Sequence, residues 1–338
     1  MYGSCTRLRA SAATGMGALL LVAGCSPPDD DRSADTPPAA DRQAREETPY
    51  WVNPEGNAAR QADAYAEDGE RGDAELIRRI AERPVAEWLR PEDPRGAAQG
   101  LTEAAERAGR EAVLVLYNIP HRDCGQYSRG GAADGDAYRA WLDGVAQGIG
   151  DRRATVVLEP DAVLHLVDGC TPRKHHAERY GLLKGAVERL KRQPRTTVYI
   201  DAGNAGWQAP DALFEPLRRA GIDAADGFAV NVSNFRTTAE STEFGKRLSA
   251  KVGGKPFVID TSRNGNGPYE GGDPAESWCN PPGRALGEPP TTETGDALVD
   301  AYLWIKRPGE SDGECRGGPK AGDWWPEYAL GLARASRK

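Results

Sequence analysis

The sequence predicts an α/β fold whose parallel sheet curls into a barrel, and three observations predict it. Short runs rich in aliphatic and β-branched residues alternate with longer spans that can hold helices. The runs are apolar almost without interruption, as strands buried on both faces are. Each run also stops at a polar residue, and in an α/β barrel the C-terminal strand ends converge on one mouth.

The runs cover residues 112–117, 155–158, 197–200, 227–230, 256–259 and 301–305. They end at Asn118, Glu159 with Asp161, Asp201, Asn231, Asp260 and Lys306. Capping of the following helices would explain one or two of these endings, but six in register with the strands point to a shared site. Spans 136–149 and 179–191 can hold crossover helices. Residues 74–90 read as a further helix, with Leu76, Ile77, Ile80, Val85 and Leu89 apolar.

The ends of the chain read differently. Arg7 and Arg9 precede an apolar stretch too short to stay in a bilayer as a spanning helix, and Leu21-Val22-Ala23-Gly24-Cys25 resembles a bacterial lipobox. Residues 1–24 are therefore expected to be a signal peptide, with Cys25 lipidated. Residues 25–49, rich in Pro, Asp, Ser and Ala, read as a disordered tether. The protein is expected to be exported and held by lipid alone at the outer face of the bacterial cytoplasmic membrane or at the cell surface. Residues 50–338 remain for the folded body, long enough for one large core. A net charge of −8 argues against nucleic acid as a partner.

Six cysteines occur, and four of them lie in the folded body: Cys124, Cys170, Cys279 and Cys315. In an exported chain an even number implies two disulfides, with three possible pairings. Zinc is the rival reading. No pair of cysteines has short metal-ligand spacing, and His121, His165, His175 and His176 are not arranged for it, so no metal or other cofactor is expected.

A series of segments in fixed order carries a family resemblance. They are Tyr117-Asn118-Ile119-Pro120-His121-Arg122-Asp123-Cys124-Gly125, then Glu159-Pro160-Asp161, then Asp201-Ala202-Gly203-Asn204-Ala205-Gly206-Trp207. The run from Ile259 through Pro268 follows, with Trp278-Cys279 behind it, and then the run from Trp304 through Gly313. From about Tyr50 onward the chain resembles glycoside hydrolase family 6, the cellulases known as endoglucanases and cellobiohydrolases. The resemblance implies a seven-stranded, incompletely closed, TIM-like parallel α/β barrel. It also implies inverting cleavage of β-1,4-glucosidic bonds in cellulose or a related β-glucan by a monomer.

Acetal hydrolysis needs one carboxyl group to protonate the leaving oxygen and another to help water attack, roughly 6.5–9.5 Å away in inverting enzymes. The resemblance gives Asp161 the acid role and Asp312 the role of candidate base, with a water relay as the alternative route for the proton. Asp123 would raise the pKa of Asp161 by like-charge repulsion, and Tyr117 would lie under the reacting sugar. A loop salt bridge with Arg122 is the bland alternative for Asp123. The resemblance makes Trp88, Trp207 and Trp278 stacking platforms, since aromatic faces pack on pyranose rings. Trp51, Trp141, Trp324 and Trp325 read as core. Asn204, Lys306 and Glu310 match sugar-binding positions, and Asn231 and Asp260 are expected to bind hydroxyls or orient neighbours. An exposed i,i+4 ion pair is the alternative for Lys306 and Glu310. The resemblance pairs Cys124 with Cys170 and Cys279 with Cys315.

Two departures stand out. Ser128 is followed by Arg129 where relatives carry a small residue in that loop, and Asn204 stands where histidine is usual. The short stretch between Cys279 and Cys315 favours an open cleft and endo action. A glucan-binding lipoprotein with weak or no catalysis is the competing reading.

Overall fold

The computed structural model describes residues 48–336 apart from 272, 274 and 275. The expected signal peptide, lipidated Cys25 and most of the tether lie outside the described residues.

Two helices come first, α1 (Asn57–Glu67) and α2 (Arg71–Ala81). Seven strands follow: β1 (Glu87–Leu89), β2 (Ala112–Leu116), β3 (Ala154–Leu158), β4 (Thr196–Asp201), β5 (Gly227–Val230), β6 (Phe257–Asp260) and β7 (Val299–Leu303). Between them run α3 (Pro94–Arg107), α4 (Gly135–Ile149), α5 (Leu164–Val167), α6 (His176–Leu190), α7 (Pro210–Ala220) and α8 (Thr238–Ser249). Helix α9 (Pro326–Ala335) comes last. All seven strands pair in parallel, in sequence order β1 to β7.

Alternation within a strand explains the unbroken apolar runs. In β2, Ala112, Leu114 and Leu116 pack outward under the helices, whereas Val113 and Val115 point into the barrel. Tyr50, Val157, Tyr199, Val258 and Leu303 fill the same interior. Strands β1 and β7 are the sheet edges. They meet at a seam where the Ala86 amide donates to the Trp304 carbonyl (2.9 Å) and the Trp88 indole donates to the Ile305 carbonyl (2.8 Å). The barrel is thus seven-stranded and incompletely closed.

One expectation needs correction. The helix read over residues 74–90 stops at Ala81, and Glu87–Leu89 is instead the first strand, paired with Leu114–Leu116. Pro84 and Pro91 bracket this segment, and each disfavours helix in the residue before it. Of the four tryptophans read as core, Trp141 is buried and Trp51, Trp324 and Trp325 are half-buried. Trp304, buried in the third apolar cluster with Ile77, Ile80 and Leu330, was not singled out.

Candidate active site

The mouth is built at the C-terminal strand ends, where the backbone is strained. Among the described residues ten non-glycine residues adopt positive φ, and seven of them follow β2, β3 or β5: His121, Asp123, Cys124, Glu159, Asp161, Asn231 and Ser233. Left-handed conformations at such residues cost energy and tend to gather at functional sites.

Asp161 follows β3. Its amide donates to Asp201 Oδ2 (2.8 Å), and its Oδ2 lies 3.4 Å from the Tyr117 hydroxyl. Its carboxyl is pushed well above the usual carboxylate range, first by burial and then by the negative charges of Asp201 and Asp123. Asp201 is itself raised to about 7, chiefly by burial. Glu159 lies two residues before Asp161 and is also raised to about 7 by burial. Its carboxylate accepts from the amides of Asn118 (3.0 Å) and Ile119 (2.9 Å), which ties the end of β3 to the end of β2. Asp123 is raised by burial too, although the Ser128 amide and Arg122 pull the other way. The Arg122 side chain reaches the carbonyls of Tyr117 and Ser128 and covers the Tyr117 ring.

Asp312, on the loop after β7, sits among opposite neighbours. Its Oδ2 accepts from Arg263 Nη1 (2.8 Å) and from the Asn280 amide (3.0 Å), and Lys306 Nζ lies 3.4 Å from Oδ1. The Asn280 side chain returns the bond by accepting from the Asp312 amide (2.8 Å). Burial would raise this carboxyl, but Arg263 and Lys306 outweigh it and hold it below its ordinary value. The loops after β2 and β7 touch: the Tyr127 ring lies against Gly313, where an added Cβ would sit 2.3 Å from Cγ of the ring. Asp123 and Asp312 are therefore carried by loops in contact, and Asp123 and Asp161 by neighbouring strands.

The aromatic candidates are distributed around this rim. Trp88, on β1, meets Tyr117 edge-on with ring centroids 5.6 Å apart. Trp278 faces Tyr127 at 6.2 Å. Trp207 is half-buried, with its indole donating to Asp168 (3.1 Å), and it lines a hollow of about 630 Å³ together with Phe244. Asn204 is buried and accepts from the Gly206 amide (2.9 Å), so its side chain shapes its own turn.

Asn231 and Asp260 hold the backbone of neighbouring loops. Both are fully buried. The Asn231 amide group bonds to backbone at Arg236 and Asp260. Asp260 accepts from the amides of Ser233, Ser262, Ile305 and Lys306. Lys306 and Glu310 are not an exposed pair: both are buried, Lys306 serves Asp312, and Glu310 accepts from Asn57 (3.2 Å) and pairs with Arg307 (2.8 Å). Glu159 and Asp201 were read as strand ends at the shared mouth without a role of their own, and Arg263 and Asn280 were given no role. Asp201, Glu159 and Arg263 lie inside the quoted motifs, but only the fold reveals how completely Arg263 is buried.

Both disulfides pin the rim. Cys124 bonds Cys170, with Cα atoms 6.0 Å apart, and Cys279 bonds Cys315 at 6.3 Å. His165 lies beside the first bridge, but the bond uses both sulfurs that could have joined it around a metal.

Comparison with known proteins agrees with this geometry. Residues 45–336 match the sequence profile of "Glycosyl hydrolases family 6". The chain is 46% identical to endoglucanase A of Cellulomonas fimi over 269 residues, covering 78% of this chain and 57% of that enzyme. It is 40% identical to endoglucanase A of Thermobispora bispora over 295 residues, covering 85% of this chain and 62% of that one. The chain thus spans under two thirds of either relative. The endoglucanase Cel6 of Mycobacterium tuberculosis, solved with methyl-cellobiosyl-4-deoxy-4-thio-β-D-cellobioside, superimposes with a TM-score of 0.79. Its identity is 44%, over 85% of this chain and 97% of that structure. Profile, relatives and fold agree across the whole barrel, and the chain belongs to glycosyl hydrolase family 6.

Proposed function

We propose that the protein hydrolyses β-1,4-glucosidic bonds of a β-glucan within the chain, with inversion, using Asp161 as general acid. The supporting observation is the environment of Asp161: a strand-end carboxyl, partly open to the mouth, whose burial and acidic neighbours favour the protonated form. The endoglucanase names of the relatives and the oligosaccharide held by the Mycobacterium enzyme support the substrate class and the endo mode.

Asp123, on the neighbouring strand end, adds to the repulsion that keeps the proton on Asp161. Tyr117, half-buried beside Asp161, offers a ring and a hydroxyl beneath the reacting sugar. Asp312 has two roles to divide. Its depressed pKa makes it a weak proton acceptor, yet Arg263, Lys306 and Asn280 fix its position firmly. On this reading Asp312 orients the attacking water and balances developing positive charge, and the proton leaves through further water. Trp88, Trp207 and Trp278 supply the stacking surfaces.

Binding without catalysis would not require a carboxyl held protonated, so the competing reading is not favoured. The test is a cellohexaose digest with the anomeric form followed by NMR, run beside Asp161→Asn. Inverted product from the native protein and none from the variant is expected. Equal product from both would defeat the reading. Attachment through Cys25 is a separate proposal; metabolic labelling with a radioactive fatty acid checks it, and Cys25→Ala should abolish the label.

A further inference from the structure

A second hollow opens beside the Asp123 loop, between the loops after β2 and β3. Its volume is about 510 Å³, the size class of small-molecule sites. Its lining is one-sided in charge: Arg122, Arg129, His121 and His175 contribute, and no carboxylate is among the lining residues. The Cys124–Cys170 bridge staples its two walls together. Among the described residues the Arg129 side chain has neither a hydrogen bond nor an ion pair, so its five donors are uncommitted. Arg122 is different, since its guanidinium already serves two carbonyls and contributes charge more than donors.

The histidines add donors. The His121 and His175 rings stand with centroids 4.2 Å apart, tilted by 38°. Desolvation, His121 and Lys174 hold His175 below its ordinary pKa, against the pull of Glu178. At neutral pH it therefore offers an N–H rather than a charge. His175 also precedes α6, a 15-residue helix, so the positive end of that helix dipole faces this wall.

We propose that this hollow binds a sugar-sized anion, a saccharide carrying a carboxylate or a phosphate. A planar guanidinium without partners is suited to either group, and the volume exceeds what a bare ion needs. An acidic sugar next to the cleaved chain would deepen the glucanase reading, and in that respect the proposal rests on it. Binding itself does not depend on catalysis.

The experiment titrates the intact protein with glucuronate, glucose 6-phosphate, inorganic phosphate and glucose, following the imidazole signals by NMR. Glucuronate or glucose 6-phosphate should shift His121 and His175 with a millimolar Kd, and glucose should not. Arg129→Gln should weaken that binding about tenfold, the loss of one charge-assisted contact. His175→Gln should weaken it less and leave cellohexaose cleavage unchanged, which shows that the variant is folded. Equal shifts with glucose, unaltered binding in Arg129→Gln, or phosphate binding as tight as the sugar phosphate would each overturn the proposal. Cleavage of cellohexaose by a protein that ignores every anion removes the hollow and spares the glucanase reading. Anion binding without cleavage does the reverse.

Discussion

Asp161 and Asp312 belong to the same rim, but their surroundings drive them apart. Around Asp161 stand Asp201 and Asp123, so burial and repulsion act together and the proton is retained. Around Asp312 stand Arg263, Lys306 and the Asn280 amide, so burial is overruled and the charge is retained. One fold thus pushes the pKa values of two aspartates in opposite directions. Divergent pKa values of this kind are what the proposed division of acid and base roles needs. The difference arises from neighbours contributed by strands distant in sequence.

The largest expected effect comes from abolishing the proposed acid. Asp161→Asn should lower the rate of cellohexaose cleavage by about 10²–10⁴-fold, measured by product release. A loss smaller than tenfold would mean that another group delivers the proton.

Next comes the opposite half. Arg263→Met leaves Asp312 buried with one cation fewer, and removing one partner of a buried pair costs about 3–5 kcal/mol. Denaturant unfolding should show the loss, and an unchanged midpoint would mean that water reaches Asp312. The same variant should raise the Asp312 pKa and so make the two aspartates more alike.

A subtler probe is Asp201→Asn. Removing that negative charge makes Asp161 easier to ionise. The alkaline limb of the kcat profile should then move toward acid by about one pH unit, worth about 1.4 kcal/mol. A limb that stays in place would assign the raised pKa to burial and to Asp123.

The last effect is on stability against pH. Glu159 and Asp201 have folded pKa values of about 7, above their ordinary values of 4.5 and 3.8. In that window the folded protein binds more protons than the unfolded chain, so their contribution declines as pH rises from about 4 toward 7. Asp312 works the other way: its depressed folded pKa stabilises above its ordinary value of 3.8 and is lost as pH falls below it. Tm should therefore be higher near pH 5 than near pH 8, and Glu159→Gln should flatten that slope. A Tm that climbs steadily up to pH 8 would contradict the burial of these carboxyls in ionised form.

Much of this was legible beforehand for definite reasons. Six strands were readable because both of their faces are buried, which leaves an unbroken apolar run. Strand β1 was not, because three residues between two prolines carry too little pattern and Leu76 through Leu89 also satisfies a helical period. Asp123, Asp161 and Asp312 were readable from motifs. Asn231 and Asp260 were readable as strand ends, but whether such a group faces a ligand or the backbone depends on burial, which spacing does not encode. The partners Arg263 and Asn280 stayed hidden for the same reason. They lie 49 and 32 residues from Asp312, and only the folded loops bring them together.

The placement of the two sulfur bridges has a consequence for how the molecule matures. Cys124–Cys170 and Cys279–Cys315 both staple rim loops, and neither joins one barrel strand to another. Frame and rim are thus assembled by different chemistry, the first by burying apolar side chains and the second by oxidation. A chain kept in a reducing compartment would lack these two ties at the mouth, and none that join the barrel strands.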